Sequence, residues 1–175
     1  TRSYSSAASD VYKRQPTQGY MLSFDQELPI YSDDLSVGNT LNFSKYHSVS
    51  DNLILSGKLF LKSVNSIDDD VRVSRRIYIP SKNLRGFEPG KIGPKDGVEY
   101  VGGNFGSALN LNSTIPNVLN GFENIDLNFF FDAATLREVD YDSSLESSKI
   151  RSSTGIAVNW FTVIGPLSFS YAIPL

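Results

Sequence analysis

The chain has 175 residues, with 16 Lys and Arg against 19 Asp and Glu and a formal net charge of −3; that balance argues against a nucleic-acid binder. Cysteine is absent, which removes disulfides, thiolate metal sites and cysteine nucleophiles. No apolar run approaches the roughly 20 residues of a membrane-spanning helix, and "TRSYSSAASDVYKRQ" at the start lacks the apolar core of a signal peptide. The length suits one domain or a piece of something larger.

Residues 1–18 show no period and read as a non-native or disordered leader. From Gly19 the chain alternates. In "GYMLSFDQELPI", Tyr20, Leu22, Phe24, Leu28 and Ile30 share one face and Ser23, Asp25 and Glu27 the other, which is strand spacing. "NTLNFSKYHSV" repeats it with Leu41 and Phe43 against Asn42 and Ser44. "NLILSGKLFLKS" sets Leu53, Leu55, Leu59 and Leu61 against Ser56, Lys58 and Lys62, with Ile54 and Phe60 breaking the polar face. A long Gly- and Pro-rich connector, 64–104, follows. In "SALNLNSTI", Leu109, Leu111 and Ile115 oppose Asn110, Asn112 and Thr114, and in "NIDLNFFFDA", Ile125, Leu127, Phe129 and Phe131 oppose Asp126, Asn128 and Asp132. "TGIAVNWF" and "GPLSFSYAIPL" complete about seven strands, with no helix between them.

An antiparallel soluble sandwich also buries one face of each strand. Here the apolar faces reach about ten residues, the length of a tilted membrane-crossing strand. The opposite faces carry Ser, Asn, Asp, Thr and Ala, which suit a water-filled lumen. Connectors alternate between short and long, as in outer-membrane barrels, where turns on the periplasmic side are tight and outer loops are free to grow. The expected fold is therefore all-β, an antiparallel transmembrane β-barrel in part, with a soluble β-sandwich binding module as the alternative of another class.

No catalytic, metal or cofactor site is expected. "IDDDVRV" lacks the ligand spacing of a calcium loop. "GFEPGK" is followed by Ile92 where a phosphate loop needs Ser or Thr. His47, the single histidine, has no nucleophile and acid in a motif around it.

"LRGFEPGKIGP" at 84–94, "GGN" at 102–104, "FFFDAATL", and "IRSSTGIAVNWFTVIGPLSFSYAIPL" at the end closely resemble the C-terminal barrel half of the BamA family of outer-membrane protein assembly factors. "GYMLSFDQELP" and "VRVSRRIYIPSKNLRGFEPGKIGP" resemble its alphaproteobacterial branch. The resemblance runs from about Gly19 to Leu175, and its pieces stand in the family's order and spacing. The TamA-type translocation barrel shares the RGF tip and is the nearest alternative.

The resemblance implies a role for the loop at 64–104. In such barrels the long outer loop folds back into the lumen, and its tip, here Leu84, Arg85, Gly86 and Phe87, lies against the inner wall. A guanidinium in a confined lumen must be paired, and its planar fork suits a carboxylate. Asp132 faces inward by the alternation and stands where the family carries its loop-anchoring aspartate; Asp126, on the same face, is the competitor. The family often adds a second inward acid, and the matching position here is Asn112.

The resemblance also implies a non-enzymatic protein of the Gram-negative outer membrane, in contact with its lipid. It would have unfolded outer-membrane proteins as substrates and would meet assembly-machine lipoproteins through periplasmic POTRA domains. Against a family barrel of about sixteen strands, the chain reads as a fragment that stops one strand early and lacks the first strands.

Overall fold

The computed structural model describes residues 16–29, 35–67, 70–118, 124–145, 149–162 and 164–175. The leader through Gln15, Ile30, and Asp68 and Asp69 of the acidic run lie outside the described residues. In chain order the strands are β1 (Gly19–Glu27), β2 (Ser36–Ser50), β3 (Leu53–Ser66), β4 (Lys95–Asp96), β5 (Glu99–Tyr100), β6 (Phe105–Ile115), β7 (Ile125–Arg137), β8 (Arg151–Thr162) and β9 (Gly165–Pro174). The pair β4 and β5 forms a small hairpin, and the other seven make one antiparallel sheet in sequence order.

Alternation becomes two chemically distinct faces because the register holds it in phase across the sheet. On one face Leu22 pairs with Phe43, Phe43 with Leu59, and Leu59 with Leu109. Leu111 pairs with Phe131, Phe129 with Ile156, and Ile156 with Tyr171. This face stays open: Leu22 is 62% exposed, Phe169 63% and Tyr171 68%. Exposed apolar residues in such continuous rows mark a surface made for something other than water, and here they form the lipid-facing side of a barrel wall. Lengths agree, since β2 has 15 residues and β3 has 14 against five or six in a typical soluble strand.

The connectors sort by edge. Connectors 28–35, 67–104 and 138–150 leave one edge of the sheet, and 51–52, 116–124 and 163–164 turn at the other, so the two longest share one edge and the two shortest share the opposite one.

The compact core lies on the polar side of the sheet, beneath the long loop. Val71, Ile77, Ile79, Leu84 and Ile92 of the loop cluster with Val64, Ala108, Ala134 and Leu136 of the wall, with Phe60 and Phe87 packed alongside. A bridge between Ile77 and Gly103 closes the base of the loop. This cover explains where the strands depart from the alternation. β3 continues to Ser66, so the loop starts later than Val64, and β7 continues through Ala133, Ala134 and Leu136 to Arg137. Inner positions under the loop are apolar or small, so period-two contrast vanishes there although the ladder continues. Tyr46 pairs with Ser56 on the inner face.

Candidate functional site: the loop tip on the inner wall

Two rows of inner-face residues build the site. One runs Lys58, Asn110, Asp132, Ser153 and the next runs Ser56, Asn112, Phe130, Gly155, Ala172. The loop tip crosses both rows.

Arg85 makes a two-pronged contact with Asp132. Its Nε donates to Oδ2 at 2.7 Å and its Nη2 to Oδ1 at 2.7 Å. Its backbone N–H donates to Oδ2 at 3.2 Å. Nη2 also donates to Asn112 Oδ1 at 2.9 Å, and the guanidinium carbon lies over the Phe130 ring, 3.5 Å from its centroid. Asp132 is 0% exposed. A carboxylate removed from water to that degree needs its lone pairs filled; Asp132 accepts from Arg85 and also from Asn110 Nδ2 at 2.8 Å. Fork-to-fork pairing is the strong form of charge-assisted hydrogen bonding, and Asn112 adds a neutral acceptor.

The neighbours fix the height of the tip. Leu84 is 1% exposed within the apolar cluster, and Phe87 packs partly against it. Gly86 has φ +84°, and a Cβ there would lie 2.9 Å from the Ala172 Cβ. Positive φ and contact with the wall both require glycine. Gly155 makes room for Phe130, since a Cβ on it would stand 2.7 Å from the ring's Cζ and inside contact distance of the β9 backbone.

Arg85, Asn112 and Asp132 are thus brought together, with Leu84, Gly86 and Phe87 around them. Asp126 is not among them; at the far end of β7 it accepts the Asn117 N–H at 3.1 Å. Two participants carry no signal in the motif. Asn110 Nδ2 donates both to Asp132 and to the Asn83 carbonyl, at 2.9 Å, tying wall to loop. Phe130 falls on the inner face with Asn128 and Asp132 by the alternation, but inside an "FFF" run nothing marks it as the ring beneath Arg85.

A second arginine holds the loop base. The Arg76 side chain is 3% exposed, and its Nη2 lies 3.5 Å from Asp140 Oδ1. Its Nε donates to the Val71 carbonyl at 3.2 Å and its guanidinium carbon lies over the Tyr141 ring, 4.5 Å from the centroid. Asp140 Oδ2 accepts the Val71 N–H at 2.6 Å. Beneath the tip, a polar cavity of about 520 Å³ opens between loop and wall, lined among others by Lys58, Lys82, Asn112, Asn128 and Asn159. Among the described residues no cluster of His, Asp or Glu is placed to hold a metal ion.

Residues 4–175 match the Omp85 superfamily domain. The chain is 29% identical over 173 residues to the outer membrane protein assembly factor BamA of Nitratidesulfovibrio vulgaris, covering 93% of this chain and 21% of that protein. The crystal structure of BamA from Haemophilus ducreyi lacking POTRA domains 1–3 superposes with a TM-score of 0.78 at 30% identity, over 91% of this chain and 36% of that one. The chain therefore spans about a fifth of the length of that curated relative. Matched over nearly all its residues, and with its open antiparallel sheet superposing on a BamA barrel wall, the chain belongs to the Omp85 superfamily and is an outer-membrane barrel segment of the BamA family.

Proposed function

We propose that these strands serve a protein that folds and inserts other β-barrel proteins into the outer membrane, and that Arg85 and Asp132 are the clamp that keeps its long loop seated in the lumen. The observation that carries the reading is the two-pronged contact of Arg85 with the fully buried Asp132, made by a loop tip that continues through Gly86 onto β9. No water-filled wall needs so costly a pair for its own stability. A buried ion pair is a poor stabiliser but a good device for fixing one arrangement, and it sets the loop against β6 and β7 while Gly86 reaches β9.

Such a protein works without a reaction centre. Its substrates are unfolded outer-membrane proteins, whose strands gain hydrogen bonds by pairing with an exposed sheet edge, and its lipoprotein partners bind outside these strands, through POTRA domains. The loop 67–104 acts here as an inner brace: it stiffens the wall beside which new strands are received. Residues 1–18 have no part in this reading.

The test uses the full-length protein. Arg85→Ala, reconstituted into lipid vesicles, is expected to slow folding of a heat-modifiable reporter barrel while its own barrel still migrates as folded. A reporter folding rate equal to that of the unaltered protein, with the loop as protease-resistant as before, would overturn the clamp.

A further inference from the structure

The lipid-facing side carries a groove that the assembly reading does not use. It spans β2, β3, β6 and β7, each paired on both sides, and has a volume of about 780 Å³. Its walls are Phe43, Leu55, Leu59, Leu111, Phe129 and Phe131. The floor is Gly57, where the absent side chain leaves a notch between Lys45 and Leu111, its two partners in the ladder. Ser113, opposite Leu55, is small as well.

Lys45 and His47 border this apolar groove, both exposed and both on the same face as Phe43. Among the described residues no carboxylate lines it. They stand toward the end of β2 that turns through 51–52, the edge that holds both two-residue connectors and neither of the two longest, which is the periplasmic edge in barrels of this type. Tyr20, 80% exposed, pairs with Lys45 across the sheet, as an aromatic at a membrane interface does. A cation on a lipid-facing surface is tolerated where its head reaches the headgroup layer. An apolar notch in that surface is filled by hydrocarbon, because water there would find no polar partner.

We infer that this groove binds one glycerophospholipid of the periplasmic leaflet, with an acyl chain laid over Gly57 and the phosphodiester on Lys45 and His47. The charge complementarity of Lys45 with a phosphate, at the end of a groove shaped for a hydrocarbon chain, selects this occupant. The site rests on the membrane location of the barrel and is independent of the loop clamp.

The experiment takes the full-length protein from vesicles of phosphatidylethanolamine and phosphatidylglycerol through detergent exchange and counts retained phospholipid by native mass spectrometry. Two variants are compared with it: Lys45→Leu combined with His47→Leu, which removes the phosphate contacts and keeps the surface apolar, and Gly57→Leu, which fills the notch. Each is expected to lose one retained phospholipid, with occupancy down several-fold, and heat-modifiable migration reports that the barrels are folded. If Gly57→Leu does not fold, Leu55→Trp narrows the groove from its wall instead. Diacylglycerol, with the same chains and no phosphate, should be retained poorly by all of them. Equal phospholipid retention by the unaltered protein and both variants, meaning bulk solvation only, would overturn the site, as would diacylglycerol held as well as phosphatidylglycerol.

Discussion

Arg85 combines three contacts that no other side chain can make together: a fork on both Asp132 oxygens, a third acceptor on Asn112, and a cation–π contact with Phe130. Lysine offers a point charge and no plane. Arg85→Lys should therefore keep the charge and still lose most of the hold on the loop, seen as faster trypsin cleavage within 67–104. Arg85→Ala leaves Asp132, at 0% exposure, without its charged partner, and breaking a buried pair from one side costs on the order of 3–5 kcal/mol. The double variant Arg85→Ala with Asp132→Ala removes both charges. It should recover part of that loss in urea unfolding followed by the heat-modifiable band; strict additivity of the two single losses would mean the pair is not coupled. Asn110 is predicted to matter through a different route. Asn110→Leu removes the amide bridging Asp132 and the Asn83 carbonyl, and a buried acceptor left unsatisfied costs about 1–3 kcal/mol, so loop protection should fall even with Arg85 intact.

At the scale of elements, the loop and the sheet share one core, and the wall contributes residues that look ordinary. Leu136 is fully buried between the two. Leu136→Ala should cost about 2–5 kcal/mol and expose the loop to protease without touching the lipid-facing surface. Gly155 is the opposite case, a missing side chain on which packing depends. Gly155→Val would run into the Tyr171 carbonyl of β9 as well as the Phe130 ring beneath Arg85, so it should disturb the β8–β9 ladder and loosen the loop together although no charge changes. Such dependencies set how much the sequence discloses. The alternation of Leu109, Asn110, Leu111 and Asn112 is legible because one face meets lipid and the other water, and it also locates Asp132 and Asn112 on the inner side. Where the loop covers the wall, at Ala133 to Leu136, the inner positions Ala134 and Leu136 are apolar and the outer ones are Ala133 and Thr135, so the contrast disappears and strand ends are misread there. Phe130 falls inward by alternation, but nothing in a run of three phenylalanines marks it as the ring beneath Arg85. The Arg76 and Asp140 clasp joins residues 64 positions apart by sequence number, across two connectors whose lengths carry no pattern. Motif resemblance points to Arg85, but nothing local to Asn110 says that its amide reaches the Asn83 carbonyl.

For the whole molecule the deciding asymmetry is between two faces of one sheet, each solvated by a different medium. Phe131 lies in the middle of the apolar rows, 38% exposed, with Leu111 beside it on β6 and Thr154 on β8. Ser170 lies on the other face, lining the polar cavity. Arginine at either position adds the same charge and a similar volume. On the lipid side it would sit at mid-wall, where such a charge costs about 2–4 kcal/mol, whereas lumenal changes chiefly tune the interior. Phe131→Arg is therefore predicted to reduce the folded, heat-modifiable fraction in membranes sharply, while Ser170→Arg leaves it nearly unchanged. A soluble sandwich would reverse the ranking, because its wetted face would be the one now bare, with Phe131, Phe169 and Tyr171 in water, and burial against a second sheet would fall on the side of Ser170. The two substitutions, scored in the same membranes by the same gel shift, thus test the assignment of both faces at once: equal tolerance, or greater damage from Ser170→Arg, would mean that the apolar rows do not face lipid.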